Sequence, residues 1–238
     1  MTKTDARLDN LVVLIPARGG SKGIEHKNLC LVGSRTLLDR AIDCAISLTA
    51  KCNIFVSSDD HQILEVAQAR SVVPLERSPE ASSDTATANS VLEEFCAKLG
   101  QSRVRYNPTI AYLQPTSPFR TGKDVNEAMR LFNENLSEGT SLISVCQADC
   151  APQKMYRSNS NLDLEPLLAP TDQFKNRQDL PLYFSANGAI YIFKMACFLR
   201  GKVIPTKRII PFVMSKEDSL DIDDVVDLKF ANFIEKCR

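Results

Sequence analysis

The stretch Leu11-Val12-Val13-Leu14-Ile15-Pro16-Ala17-Arg18-Gly19-Gly20-Ser21-Lys22-Gly23-Ile24-Glu25-His26-Lys27-Asn28 decides how this chain is read. Its first five residues are apolar without alternation, and Pro16 closes them. A short, β-branched run of this kind suits a central strand buried on both faces. Gly19, Gly20 and Gly23 then form a loop whose backbone N–H groups can approach an anion closely. Arg18, Lys22 and Lys27 put three cations on the same loop. A triphosphate carries about four negative charges, so it calls for several cations and a metal. The loop fits neither the Walker A pattern nor the dinucleotide fingerprint. The alternative is a plain glycine turn with solvated charges.

Outward from that turn, strands and helices alternate. Apolar residues at Leu37, Leu38, Ala41, Ile42, Ala45 and Ile46 predict a helix over Leu37–Leu48. Asn53–Ser58 reads as a strand, Asp59-Asp60 as a helix start, and Ser71–Pro74 as a third strand. Ser83-Asp84-Thr85 leads into a helix through Val91, Leu92, Phe95 and Leu99. Thr109–Leu113 is a buried strand, Lys123–Asn135 a helix, and Ser141–Cys146 a strand. Gly188–Phe193 and Ile209–Met214 are further strands, and Asp224–Lys236 is a terminal amphipathic helix. The pattern predicts an α/β fold with a doubly wound, mostly parallel sheet. Residues 1–238 read as one unit, with the polar stretch Gln147–Leu180 as an excursion from it. In such a sheet ligands bind beyond the carboxyl ends of the strands, where the Gly-rich turn lies.

Composition narrows the function classes. Lys plus Arg and Asp plus Glu each total 29, so the chain is formally neutral. That argues against nucleic-acid binding, which needs excess basic charge. The polar start of the chain has no signal-peptide core, and no apolar run approaches a membrane span of about 20 residues. A cytoplasmic protein without a membrane is expected. The eight cysteines form no C-x-x-C pair and are expected to be reduced, buried small hydrophobes.

Near the other end stands Ser219-Leu220-Asp221-Ile222-Asp223-Asp224. In extended chain Asp221 and Asp223 share a face while Ile222 points inward. Two carboxylates on one face suit a hard divalent cation such as magnesium. The alternative is helix capping by Asp223 or Asp224.

P-A-R-G-G-S-K-G…K-N (Pro16–Asn28), S-D-T-A (Ser83–Ala86), L-Q-P-T-S-P-F-R-T (Leu113–Thr121), R-Q-D-L-P (Arg177–Pro181), N-G-A-I-Y-I (Asn187–Ile192) and S-L-D-I-D (Ser219–Asp223) occur in this order. Together they make the chain resemble the acylneuraminate cytidylyltransferases, the CMP-sialic acid synthetases, from about Leu11 to its end. The resemblance implies a Rossmann-like nucleotidyltransferase fold and a homodimer formed through the excursion. It implies that Arg18, Ser21, Lys22, Lys27 and Asn28 cradle the CTP phosphates and ribose, and that Arg77 and Ser83 read the base. Gln114, Lys154, Arg177, Gln178, Asn187 and Tyr191 would form the sugar side. Asp221 and Asp223 would hold magnesium, and Arg18 and Lys22 would stabilise the leaving pyrophosphate.

The implied reaction joins CTP to an acidic nine-carbon sugar at its anomeric hydroxyl. The intact Q-P-T-S-P favours N-acetylneuraminate, while Ser185, where some members carry a basic residue, leaves legionaminic and pseudaminic acids open. Without the resemblance, Lys154 and Arg177 read equally as surface charges, Tyr191 as core, and Ser83-Asp84-Thr85 as a helix cap. Two rivals are a nucleotide-sugar glycosyltransferase and a non-catalytic nucleotide-binding module.

Overall fold

The computed structural model describes residues 10–20, 23–83, 85–100, 105–168 and 173–238. Among them the strands and helices, numbered in chain order, are β1 (Leu11–Pro16), β2 (Leu31–Val32), β3 (Arg35–Thr36), α1 (Leu37–Ile46), β4 (Ile54–Ser58), α2 (His61–Ala69), β5 (Val73–Glu76), α3 (Pro79–Ser82) and α4 (Ala88–Lys98). There follow β6 (Thr109–Tyr112), α5 (Gly122–Glu134), β7 (Thr140–Gln147), β8 (Tyr156–Ser158), β9 (Leu164–Pro166), β10 (Phe184–Lys194), α6 (Met195–Gly201), β11 (Arg208–Val213) and α7 (Val225–Cys237).

The seven-stranded sheet has the order β11-β7-β10-β6-β1-β4-β5. All its pairs are parallel except those of β10, which runs antiparallel to both β6 and β7. The expected mostly parallel, doubly wound sheet is what forms. β1 lies at its centre for the reason its composition gives. Leu11, Val13 and Ile15 enter one core with α1, α2 and α5, while Val12 and Leu14 enter a second with α4 and α6. Each such fully buried aliphatic side chain contributes about 1.5–3 kcal/mol. A third cluster joins Ile24 of the Gly-rich turn to Phe119, Ile222 and Ile234.

Some boundaries differ from expectation for local reasons. The third strand begins at Val73, not Ser71, because Ser71 adopts a left-handed φ of 60° at the end of α2. The helix expected to start near Ser83-Asp84-Thr85 starts later, where Thr87 and Ser90 form a reciprocal capping box. The added short helix α3 is started by Ser78 with Pro79 behind it. β10 is longer than Gly188–Phe193, and its register against β7 breaks between Ala186 and Tyr191. The cysteines are free, but only Cys44 and Cys96 are buried, and Cys52, Cys150 and Cys237 are exposed, which corrects the expectation of buried thiols.

The excursion leaves from the end of β7 and returns at the start of β10, where Phe184 pairs with Gln147 and Ser185 with Cys146. Its own β8 and β9 pair only with each other. Because β7 runs with β6 and β1, the excursion rises from the same sheet edge as the Gly-rich turn. No helix among the described residues is long and apolar enough to cross a membrane.

Candidate active site

A cleft of about 370 Å³ opens beyond the carboxyl ends of β1, β5 and β6. Arg18, Lys27, Asn28, Arg77 and Ser83 line it, together with Gln114 and Asp223. Ser21 and Lys22, and the Arg177 side chain, lie outside the described residues.

The turn is held at both shoulders. Ala17 extends the β1–β4 pairing by donating to the Ser57 carbonyl at 2.9 Å, and the Gly19 N–H donates to Asp59 Oδ1 at 2.9 Å. A Cβ on Gly19 would lie 2.6 Å from the Asp60 side chain. Asn28 folds the turn back by donating to the Arg18 carbonyl at 2.9 Å, and its Oδ1 is buried without a partner.

The far end of the chain closes against this turn. A Cβ on Gly23 would lie 2.4 Å from the Asp223 carbonyl oxygen, a separation only glycine permits. Lys27 Nζ donates to the Ile222 carbonyl at 2.8 Å and lies 3.4 Å from Asp223 Oδ1. Ile222, buried in the third cluster, donates its N–H to the Thr116 carbonyl at 2.9 Å. The two aspartates therefore face different surroundings. Asp223 is 81% exposed. Asp221 is mostly buried, and its Oδ1 has no hydrogen-bond partner. Burial raises the Asp221 pKa and the neighbouring Asp223 charge adds to that, against a hydrogen bond from Thr116 and the Lys27 charge. Asp224 caps α7 by accepting from Val226 and Asp227, which leaves Asp221 and Asp223 free of capping.

This donor set suits a magnesium ion. A buried carboxylate oxygen lacks a partner, and a second carboxylate stands beside it in solvent. No group of three or more His, Cys, Asp or Glu suited to a metal occurs among the described residues. Magnesium characteristically takes one or two carboxylates and fills its shell with water and substrate phosphates.

The Arg77 side of the cleft is tied by hydrogen bonds. Arg77 is buried, donating Nε to Ser57 Oγ at 3.1 Å and Nη2 to the Ser57 carbonyl at 2.6 Å, and desolvation lowers its pKa. Ser83 lies at the rim, donating to the Glu80 carbonyl at 3.0 Å. Tyr112, which the sequence reading passed over as strand core, floors the cleft. Burial pushes its phenol up to about 12, and it packs edge-on against Tyr191 at 6.0 Å. Tyr191 is itself half-buried, and its pKa is raised by burial and then by Asp221.

The expected sugar-side residues do not gather in one place. Gln114 lines the cleft. Asn187 is buried as a strut: its Oδ1 accepts from Ser144 Oγ at 2.5 Å, and its Nδ2 donates to Ser219 Oγ at 2.9 Å. Lys154 is exposed beside a separate hollow of about 110 Å³ under the excursion, and Gln178 is exposed on the turn Arg177–Asp179. Gly188 was missed as a site residue. It has φ +78°, and a Cβ there would lie 2.6 Å from Gln114 Oε1 and 3.7 Å from Asp221 Oδ2. Its place in N-G-A-I-Y, after a polar residue and before an apolar run, was the available signal.

Known proteins resemble this arrangement. N-acylneuraminate cytidylyltransferase of Streptococcus agalactiae serotype V is 33% identical over 215 residues, covering 89% of this chain and 50% of that protein. The Escherichia coli protein of the same name is 29% identical over 95% of this chain and 52% of its own length. This chain thus spans about half the length of those curated relatives. CMP-N,N'-diacetyllegionaminic acid synthase of Legionella pneumophila is 29% identical over 91% of this chain and 92% of its own. In fold, a CMP:2-keto-3-deoxy-manno-octonic acid synthetase complexed with CTP superposes with a TM-score of 0.69 at 15% identity, covering 96% of this chain and 99% of that one. Residues 12–223 match the family described as Cytidylyltransferase, and the chain belongs to that family.

Proposed function

We propose that this chain transfers CMP from CTP to the anomeric hydroxyl of N-acetylneuraminate, releasing pyrophosphate. The observation that carries this reading is the meeting of the Gly-rich turn with Asp223, through Gly23 and Lys27, at the mouth of one cleft. Phosphate-binding backbone and metal-binding carboxylates are then adjacent, as nucleotidyl transfer requires. The names of the Streptococcus and Escherichia relatives support the acceptor.

In this reading Arg18 and Asn28 hold the triphosphate with Ser21 and Lys22, and Arg77 and Ser83 face the base. Lys27 orients the Ile222–Asp223 backbone and shares its charge with the nucleotide. Arg18 and Lys22 offset the charge that grows on the departing pyrophosphate, each such contact contributing about 1.5–3 kcal/mol. Asp221 and Asp223 hold magnesium, which when bound supplies Lewis acidity at the α-phosphate. Gln114 contacts the acceptor from the cleft, and Tyr191, packed on Tyr112, is assigned to the acceptor with Lys154, Arg177 and Gln178. Two copies pair through that excursion, whose Leu162, Leu164 and Phe174 are large, apolar and exposed. The enzyme works in the cytoplasm.

A second reading keeps the chemistry and changes the sugar to legionaminic or pseudaminic acid. It is favoured by the match to nearly the whole length of the Legionella protein. Pyrophosphate release from CTP with N-acetylneuraminate, legionaminate, pseudaminate and 2-keto-3-deoxy-manno-octonate separates the readings. Strongest turnover with N-acetylneuraminate is expected. CTP binding without release from any acid would overturn both. Sedimentation of the wild type against Leu164→Asp tests the pairing, with a dimer expected only in the former.

A further inference from the structure

Arg120 is 3% exposed, yet it forms no ion pair among the described residues. Burying a guanidinium is costly unless its donors are well used. Its Nη1 donates to the Gln114 carbonyl at 2.8 Å and to the Ala189 carbonyl at 2.7 Å. These two carbonyls sit where a ladder stops. β6 and β10 pair from Thr109–Lys194 up to Tyr112–Tyr191, and Gln114 and Ala189 are the residues that would face each other next on the same face. The strands part there because β10 bulges and Gly188 turns to φ +78°. Arg120 fills the gap with one nitrogen bonded to both strands.

The residue thus tethered is confined on its other sides. The Gln114 side chain works against the rise of the Tyr112 phenol pKa, and its Oε1 occupies the space that a side chain on Gly188 would take. Asp221 Oδ2 borders the same space. From its own side, Cys44 Sγ donates to the Arg120 carbonyl at 3.0 Å, fixing the root of the arginine on α1.

We infer that Arg120 is a positioning residue for the acceptor half of the reaction, acting through Gln114: it ties the Gln114 main chain so that the carboxamide lies against Gly188, in space that Asp221 Oδ2 also borders. The inference rests on the proposed cytidylyl transfer for its kinetic consequence, but the placement of Gln114 can be read without turnover. Arg120 touches neither the phosphate turn nor the base pocket, so its effect falls on the sugar and spares CTP.

The test uses the full chain carrying Arg120→Lys, which keeps the charge but replaces the planar fork with a single ammonium. Arg120→Gln is run in parallel, so that loss of the fold in one variant leaves the other to decide. In ¹⁵N-labelled protein, the Gln114 side-chain amide signal is assigned by its loss in Gln114→Ala. It should shift or broaden in the folded Arg120 variant while the Asn28 signal stays in place. With the acid that proves active, kcat/KM for that acid should fall about 100-fold, the size expected of an ångström-scale misplacement, while the KM for CTP changes by less than about twofold. The Arg120→Lys/Gln114→Ala double variant should be no slower than Gln114→Ala alone. An unmoved Gln114 signal, additive losses, or equal rises in both KM values would overturn the inference. If the wild type releases pyrophosphate with no acid, the proposed function fails, and the amide spectrum still decides whether Arg120 places Gln114.

Discussion

The Gly-rich turn and the excursion rise from the same edge of the sheet and are built in opposite ways. Around the turn, polar groups are buried and tied: Asn28 to Arg18, Arg77 to Ser57, and Lys27 to Ile222 across 195 positions of sequence. The excursion carries Leu162 at 84% and Phe174 at 91% exposure, and its two strands pair only with each other. One copy of the chain brings together the residues proposed for the nucleotide. On the acceptor side it leaves Lys154 and Gln178 in solvent and apart from the cleft. The contrast fits a reaction in which the nucleotide site is organised within the chain and the sugar site is closed from outside it.

Damage at the organised half should be the most severe. Asp221→Asn keeps the shape of the side chain and removes its charge. Loss of metal-based charge stabilisation worth several kcal/mol predicts a fall in kcat of about 1000-fold or more. Circular dichroism should show the fold unchanged. Pyrophosphate release close to the wild-type rate would sink the magnesium assignment.

Gly23→Ala tests the joint between the two ends of the chain. The added methyl would meet the Asp223 carbonyl at 2.4 Å, and backbone cannot move aside as a flexible side chain can. The turn should separate from the aspartates, lowering kcat/KM for CTP by about 100-fold. Calorimetric CTP binding equal to the wild type would show that the joint does not govern the nucleotide.

Lys154→Ala addresses the open half. Loss of one charge-assisted contact predicts a rise in the sugar KM of about tenfold with little change in the CTP KM. The reverse pattern would move Lys154 to the nucleotide and erase the division between the two regions.

The same division governs what the sequence disclosed. The run Leu11–Ile15 revealed a central strand because five adjacent apolar residues serve two cores, and the loop after it revealed an anion nest because glycine and charge are local properties. Asp221 and Asp223 announced a pair by spacing alone, yet their unequal burial comes from Ile222 and Thr116. Tyr112, Arg120 and Gly188 were not legible as site residues. Tyr112 looks like any residue of a buried strand, and Arg120 like the charged end of a loop. Each acquires its place only when β6 and β10 lie side by side. For Asn187 the motif was visible, but not the Ser144 and Ser219 partners that engage its amide.

The smallest effect should come from a strut of the organised half. Glu94 accepts from the Ser78 N–H at 2.9 Å and from Ser78 Oγ at 3.0 Å, fixing the start of α3, which delivers Ser83 to the cleft rim. Burial works against its ionisation, but hydrogen bonds from Lys98 and Ser78 prevail and lower its pKa below the ordinary glutamate value. A carboxylate with a depressed folded pKa stabilises the fold above its unfolded pKa, about 4.3, and the contribution is lost as pH falls through the folded value. Glu94→Gln should therefore lower the thermal midpoint at pH 7 by about 3 °C, the shift that about 1 kcal/mol produces in a chain of this size. The gap from the wild type should narrow as the pH is taken below about 4. If it stayed constant across that range, Glu94 would act through shape and not through charge. The order of the Arg77–Ser83 side of the cleft would then owe nothing to its carboxylate.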